Sequence, residues 1–118
     1  HGQRVLMSTI PKRVQRKRTA WSRLPDNTVC CTRPGFWGNE FSQPTPQGNV
    51  DLYRSWLFSR QTISANAHWA RMHEVAGKNL ACYCKLCTAH QDGKPLDVVC
   101  PDCAPCHVDE LGRAVLQT

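Results

Sequence analysis

Asn79-Leu80-Ala81-Cys82-Tyr83-Cys84 is the stretch whose reading decides the fold. Its side chains alternate with the two-residue period of a pleated strand, which places Leu80, Cys82 and Cys84 on one side. Just before it stands Gly77, a residue that takes the left-handed conformation at a helix end without steric cost. A helix is therefore expected to start near Ser64, run through Trp69 and Met72 and stop at Gly77. Further upstream, Asn49 can cap a helix that carries Val50, Tyr53 and Leu57 on one face beside Leu52 and Trp56. Trp56, Trp69 and Met72 read as core packing rather than as a ligand cage. Thr28-Val29-Cys30-Cys31 is β-prone and runs into the turn-rich Arg33-Pro34-Gly35-Phe36-Trp37-Gly38-Asn39. Beyond the quoted stretch, Val108, Leu111 and Val115 share one face of a last helix from Cys106 to Leu116. The order β, α, α, β, α predicts a small single domain of the α/β (or α+β) class, with a cysteine-rich excursion before the last helix.

A chain of 118 residues buries a real core only if nearly all of it folds, so a metal staple would be useful. Residues 1–6 precede Met7 and read as a cloning remnant, residues 7–27 as a basic N-terminal arm with Trp21 and Leu24 pinned to the core, and residues 28–118 as the domain. No run of roughly 18 apolar residues is present, so no membrane span is expected. The absence of a recognisable leader points to the cytoplasm. There, eight cysteines, six of them between Cys82 and Cys106, suit metal binding better than disulfides. The net charge is +6, and much of it lies in Lys12-Arg13-Val14-Gln15-Arg16-Lys17-Arg18. Such an arm can neutralise phosphates and gain affinity from counterion release, although a solvated tail has the same composition.

The most specific chemical signal is Cys84-Lys85-Leu86-Cys87 followed, after twelve residues, by Cys100-Pro101-Asp102-Cys103. Each CxxC pair can form a knuckle that points two thiolates at one ion, as tetrahedral structural zinc requires. Cys87-Thr88-Ala89-His90 has the same spacing. The ion could thus use Cys87, His90, Cys100 and Cys103, or take Cys84 in place of His90. In the first case Cys84 is free to join Cys82, Cys106 and His107 in a second cluster. A closed four-ligand site stabilises the fold, whereas an open one can activate water. Cys106 at a helix start also permits thiolate chemistry. Cys30 and Cys31 lie away from any ligand spacing and read as buried structural thiols.

Arg33-Pro34, Trp37-Gly38-Asn39-Glu40-Phe41, Tyr53 to Leu57, Gly77 to Cys84 and Pro105-Cys106-His107-Val108-Asp109 occur in an order that resembles the bacterial and phage family called domain of unknown function 4326. The resemblance spans residues 12–116. Its usual loop ends Gly-Asn-Pro-Phe, with proline where Glu40 stands here, and many relatives run almost directly from Cys-aromatic-Cys to Cys-His. By that comparison residues 85–104 are an inserted zinc loop, which favours His90 over Cys84 as a ligand of its ion.

Three functions are compatible with these residues. One is nucleic-acid association through Lys12, Arg13, Arg16, Lys17 and Arg18, with the zinc loop as a docking surface. Another is an enzyme or binder for a nucleotide-like anion, with Arg33 as anchor, Gly38 and Asn39 in the binding loop, and His107 and Asp109 as acid/base candidates. The last is a module that binds a host protein, as the phage association implies.

Overall fold

Leu80, Ala81 and Cys82 are all buried, so the strand they occupy is covered on both faces, as an interior strand of a parallel sheet must be. The computed structural model describes residues 10–17, 24–33 and 35–117. Four strands form one sheet: β1 (Lys12–Gln15), β2 (Thr28–Cys30), β3 (Asn79–Cys82) and β4 (Lys94–Pro95), in the order β2-β3-β1-β4. β3 runs parallel to both β2 and β1, with Val29 and Arg13 each opposite Leu80. The ladders continue past the strand ends through Arg16 N–H to Cys82 O (2.6 Å) and Cys31 N–H to Ala81 O (2.8 Å). β4 pairs antiparallel with β1 at the edge, where Pro95 costs no interior ladder bond.

The expected order β, α, α, β, α is present, with a strand added at each of two places. Residues 12–15, read from sequence as part of a basic N-terminal arm, are instead the interior strand β1. Arg13, at its centre, is fully buried. Charge at Lys12 and Arg13 hid this strand, because a strand is recognised by its apolar alternation and here one inward position is a guanidinium. The inserted segment 85–104 is likewise more than a loop, because it contributes β4 to the same sheet.

Three helices are present among the described residues. α1 (Pro46–Ser59) begins earlier than expected: Thr45, not Asn49, is its cap, accepting Gly48 N–H at 3.0 Å, with Pro46 fitting the first turn. α2 (Ile63–Ala70) is capped by Thr62 in the same way and gives way to a 3-10 turn at Met72–Glu74. Gly77 closes that segment at φ 75°, in the left-handed region expected of it. α3 (His107–Leu116) has Cys106 as its cap residue and buries Val108, Leu111 and Val115.

α3 packs on β3 and α1, and α1 packs on α2. The core contains Tyr53, Leu57, Met72, Val75, Leu80 and Leu111, with Trp56 and Trp69 partly buried against it. That arrangement gives Trp56, Trp69 and Met72 the packing role read for them. No helix among the described residues is long and apolar enough to cross a membrane.

Candidate functional site

The carboxyl ends of β1, β2 and β3 and the amino end of α3 surround a cavity of about 470 Å³. Arg16 follows β1, Cys31-Thr32-Arg33 follows β2, Cys82 ends β3 with Tyr83 and Cys84 in the bend after it, and Cys106-His107 opens α3; all of these line the cavity. This is where parallel sheets place ligands, because diverging loops leave a crevice there and helix amino ends supply free N–H groups. Arg16 donates to Thr32 Oγ1 at 2.8 Å and lies over the Tyr83 ring, 4.8 Å from its centroid.

The loop after β2 is fixed by its own polar groups. Arg33 donates to Asn39 O and, at 2.6 Å, to Phe41 O. Asn39 is buried, donates to Asn49 O at 3.2 Å and accepts Phe41 N–H at 2.9 Å. A Cβ on Gly38 would lie 2.9 Å from Arg33 N and Thr32 C, so the chain can fold back there only without a side chain. Of the residues expected to bind ligand, Arg33 and Asn39 therefore reach the cavity while bracing the loop, and Gly38 makes room for the backbone turn.

Three thiols converge on the cavity wall. The ligand atoms of Cys82, Cys84 and Cys106 all lie within 4.8 Å of one another, with Cys106 Sγ 3.1 Å from Cys82 Sγ. Hydrogen bonds from Cys106 and Cys82, helped by the charge of Arg13, pull Cys84 down to about 3. Cys82 gains from its bond to Cys106, yet its contact with Cys84 and its burial leave it raised to about 11. Cys106 is pushed up by the same two neighbours and by burial. The three thiols thus titrate as one coupled group, with Cys84 the most readily ionised.

His107, read as a fourth member of that cluster, stands beside it. Its Nδ1 is 3.8 Å from Cys106 Sγ, but its Nε2 is held by Trp37 O at 2.9 Å. Burial lowers its pKa, so the ring is neutral near pH ~7. Cys31 is buried and raised to about 12 by that burial. Cys30 departs from its expected role, because it sits exposed on β2.

The second constellation lies in segment 85–104. Cys87, His90, Cys100 and Cys103 bring their ligand atoms within 4.8 Å of one another, whereas Cys84 lies with the trio. Of the two ligand sets read from the spacing, the structure assembles the one with His90. Tetrahedral zinc with Zn–S bonds of about 2.3 Å needs sulfurs about 3.8 Å apart and sulfur–nitrogen separations of about 3.6 Å. Cys87 Sγ and Cys100 Sγ are 3.8 Å apart, and His90 Nδ1 is 3.2 Å from Cys87 Sγ and 3.6 Å from Cys103 Sγ. The donor set therefore fits a metal ion of that class. Desolvation raises Cys100, but hydrogen bonds from the backbone of Asp102 and Cys103 and from the Cys103 and Cys87 thiols together outweigh it and lower the group, favouring the thiolate a metal needs.

A buried ion cluster joins this segment to the domain. Arg13 donates to Asp109 Oδ2 at 2.9 Å and to Ala104 O at 2.7 Å, and Lys94 Nζ lies 3.1 Å from Asp109 Oδ1. Arg13 and Lys94 are both buried. Lys94 also donates to Pro95 O at 3.2 Å and to Val98 O. Asp109 is consequently tied to two cations outside the cavity, which corrects its acid/base assignment to a structural one. The same bonds correct Arg13, read as a phosphate contact: its guanidinium is consumed inside the protein. Lys12 and Lys17 are exposed, Arg16 belongs to the cavity, and Arg18, like Trp21, lies outside the described residues.

Sequence reading missed Lys94 as a buried cation and Arg16 and Tyr83 as a stacked pair at the cavity. Nothing local marks either role, because each depends on a partner brought in by the sheet. Searches of curated proteins and of solved structures each gave no match. The family model for a domain of unknown function, DUF4326, matches residues 14–117, nearly the whole described fold from β1 to α3, and the chain belongs to that family.

Proposed function

We propose that this chain is a zinc-stapled domain that binds a small phosphate-bearing molecule, of nucleotide type, in the cavity at the carboxyl edge of its parallel strands. The observation that carries this reading is the meeting of Arg16, Arg33 and the amino end of α3 around one cavity of about 470 Å³, within the range of small-molecule sites. Two guanidinium groups and free backbone N–H groups suit phosphate oxygens. His107 is the acid/base candidate at the cavity, and its neutral ring could accept a proton there.

Zinc at Cys87, His90, Cys100 and Cys103 would hold residues 85–104 closed and do no chemistry, since four protein ligands complete its shell. In this reading the protein works in a reducing cytoplasm, where its thiols stay free to bind metal. The basic run favours a small ligand over nucleic acid or a host protein. Its Arg13 is spent in the core and its Arg16 on the cavity, so neither presents charge to an extended partner.

Calorimetric titration with inorganic phosphate and with a nucleoside monophosphate tests this reading. Both should bind, the nucleotide more tightly, and Arg16→Met should weaken binding ~10-fold or more, the loss of one charge-assisted hydrogen bond. No binding at millimolar probe, or binding indifferent to Arg16→Met, would contradict it.

A further inference from the structure

We infer that Cys82, Cys84 and Cys106 hold a second metal ion, of the thiophilic zinc class, whose fourth coordination position faces the cavity and takes an oxygen of the bound anion. This deepens the proposed function and rests on the cavity being the ligand site.

The three sulfurs come from the last residue of β3 (Cys82), the bend just after it (Cys84) and the cap position of α3 (Cys106), and lie within 4.8 Å of one another. Cys106 Sγ and Cys82 Sγ, 3.1 Å apart, need to separate by only about 0.7 Å to reach the tetrahedral spacing set by Zn–S bonds. All three residues line the cavity. Among the described residues no fourth histidine, cysteine or carboxylate joins them within 4.8 Å: His107 Nδ1 is 3.8 Å from Cys106 Sγ but does not meet all three sulfurs. In this respect the trio differs from the loop site, where His90 completes the set. Three protein ligands with one exchangeable position is the arrangement of metal sites that act on ligands, and four is that of sites that only brace the fold.

Charge is compatible with the same assignment. The cluster of Arg13, Lys94 and Asp109 carries one net positive charge beside the sulfurs, and Arg13 interacts electrostatically with all three. Three thiolates around a divalent ion carry one net negative charge, so a bound ion keeps the balance that a single thiolate at Cys84 already gives. Binding releases to solvent the protons the thiols still carry, and no electrons move. Water would hold the fourth position until an anionic oxygen displaces it, with Arg16 and Arg33 at the same cavity to meet the remaining charge.

The test is cobalt(II) reconstitution of the full chain under reductant, first with no anion present. Wild type should take up two equivalents with thiolate charge-transfer bands, Cys84→Ser one, and Cys87→Ser one. Phosphate should then shift the ligand-field bands of Cys87→Ser, which keeps the trio, and leave those of Cys84→Ser unmoved. One equivalent in wild type, retained in Cys84→Ser, would overturn the second site whatever the anion does. Recovery of a Cys82–Cys106 disulfide in place of metal would overturn it as well. Two equivalents with bands indifferent to phosphate would overturn the ligand role; calorimetric phosphate binding persisting in that case would show that the cavity reading had survived. Should Cys84→Ser fail to fold, chelator competition on wild type substitutes: two release phases are expected, and a single phase overturns the proposal.

Discussion

Arg13 is the residue whose role differs most from its appearance. In sequence it belongs to a basic run; in the fold it is a buried cation that ties β1 to Asp109 of α3 and to the carbonyl of Ala104. Removing it leaves the part-exposed Asp109 with Lys94 as its remaining cation and takes a donor from the Ala104 carbonyl. Arg13→Met should therefore destabilise the protein by about 1.5–3 kcal/mol, the range for losing a hydrogen bond to a charged group; urea denaturation measures this. Lys12→Met, next to it and exposed, should cost little. Cys30 and Cys31 form a similar adjacent contrast. Cys30 is exposed, whereas burial raises the Cys31 thiol to about 12. Iodoacetamide at pH ~8 should alkylate Cys30 well before Cys31, since the thiolate is the reacting form. Peptide mass spectrometry reads the order, and equal labelling would contradict the burial of Cys31. Raising the pH toward that value should bring Cys31 into reach.

At the scale of elements, the helices were the most legible part of the chain. Val50, Tyr53 and Leu57 in α1 and Val108, Leu111 and Val115 in α3 are buried as their spacing requires, because periodicity reports a buried face directly. Their starts were less legible. Asn49 and Thr45 are both competent caps, and Pro46, which favours the first helical turn, decides for Thr45. Thr45→Ala should cost about 1 kcal/mol in thermal unfolding, and Asn49→Ala should act differently, by removing the side-chain oxygen that accepts Gln43 N–H from the preceding loop. Strands β1 and β4 were not legible. One is four residues with a charged centre and the other two residues with a proline, and both are strands only because β3 and β1 offer them ladders. The loop ligands were readable for the opposite reason: Cys87, His90, Cys100 and Cys103 meet through local knuckles, so their spacing carries the geometry. The cavity was readable only in part, since Arg33, Asn39 and His107 were named from motifs while Arg16 reaches it through the placement of β1.

At the scale of the whole molecule, the metal segment is an extension of the sheet held by three devices: strand β4, the Arg13–Asp109–Lys94 cluster and the Cys87–His90–Cys100–Cys103 group. The same Asp109 that anchors the segment stands three residues beyond Cys106, so metal segment and cavity share one support on α3. Chelation should consequently loosen residues 85–104 and, through Arg13 and α3, lower stability of the domain as a whole, with hydrogen exchange rising first in the segment. Acidification should act in the same direction, because protons compete with the ion for thiolate and imidazole ligands. The most direct measurement is metal content per chain on freshly reduced protein, with Cys87→Ser alongside. The predicted result is bound zinc in wild type with the loop ion lost from Cys87→Ser; wild-type protein that folds with no bound metal would contradict the account.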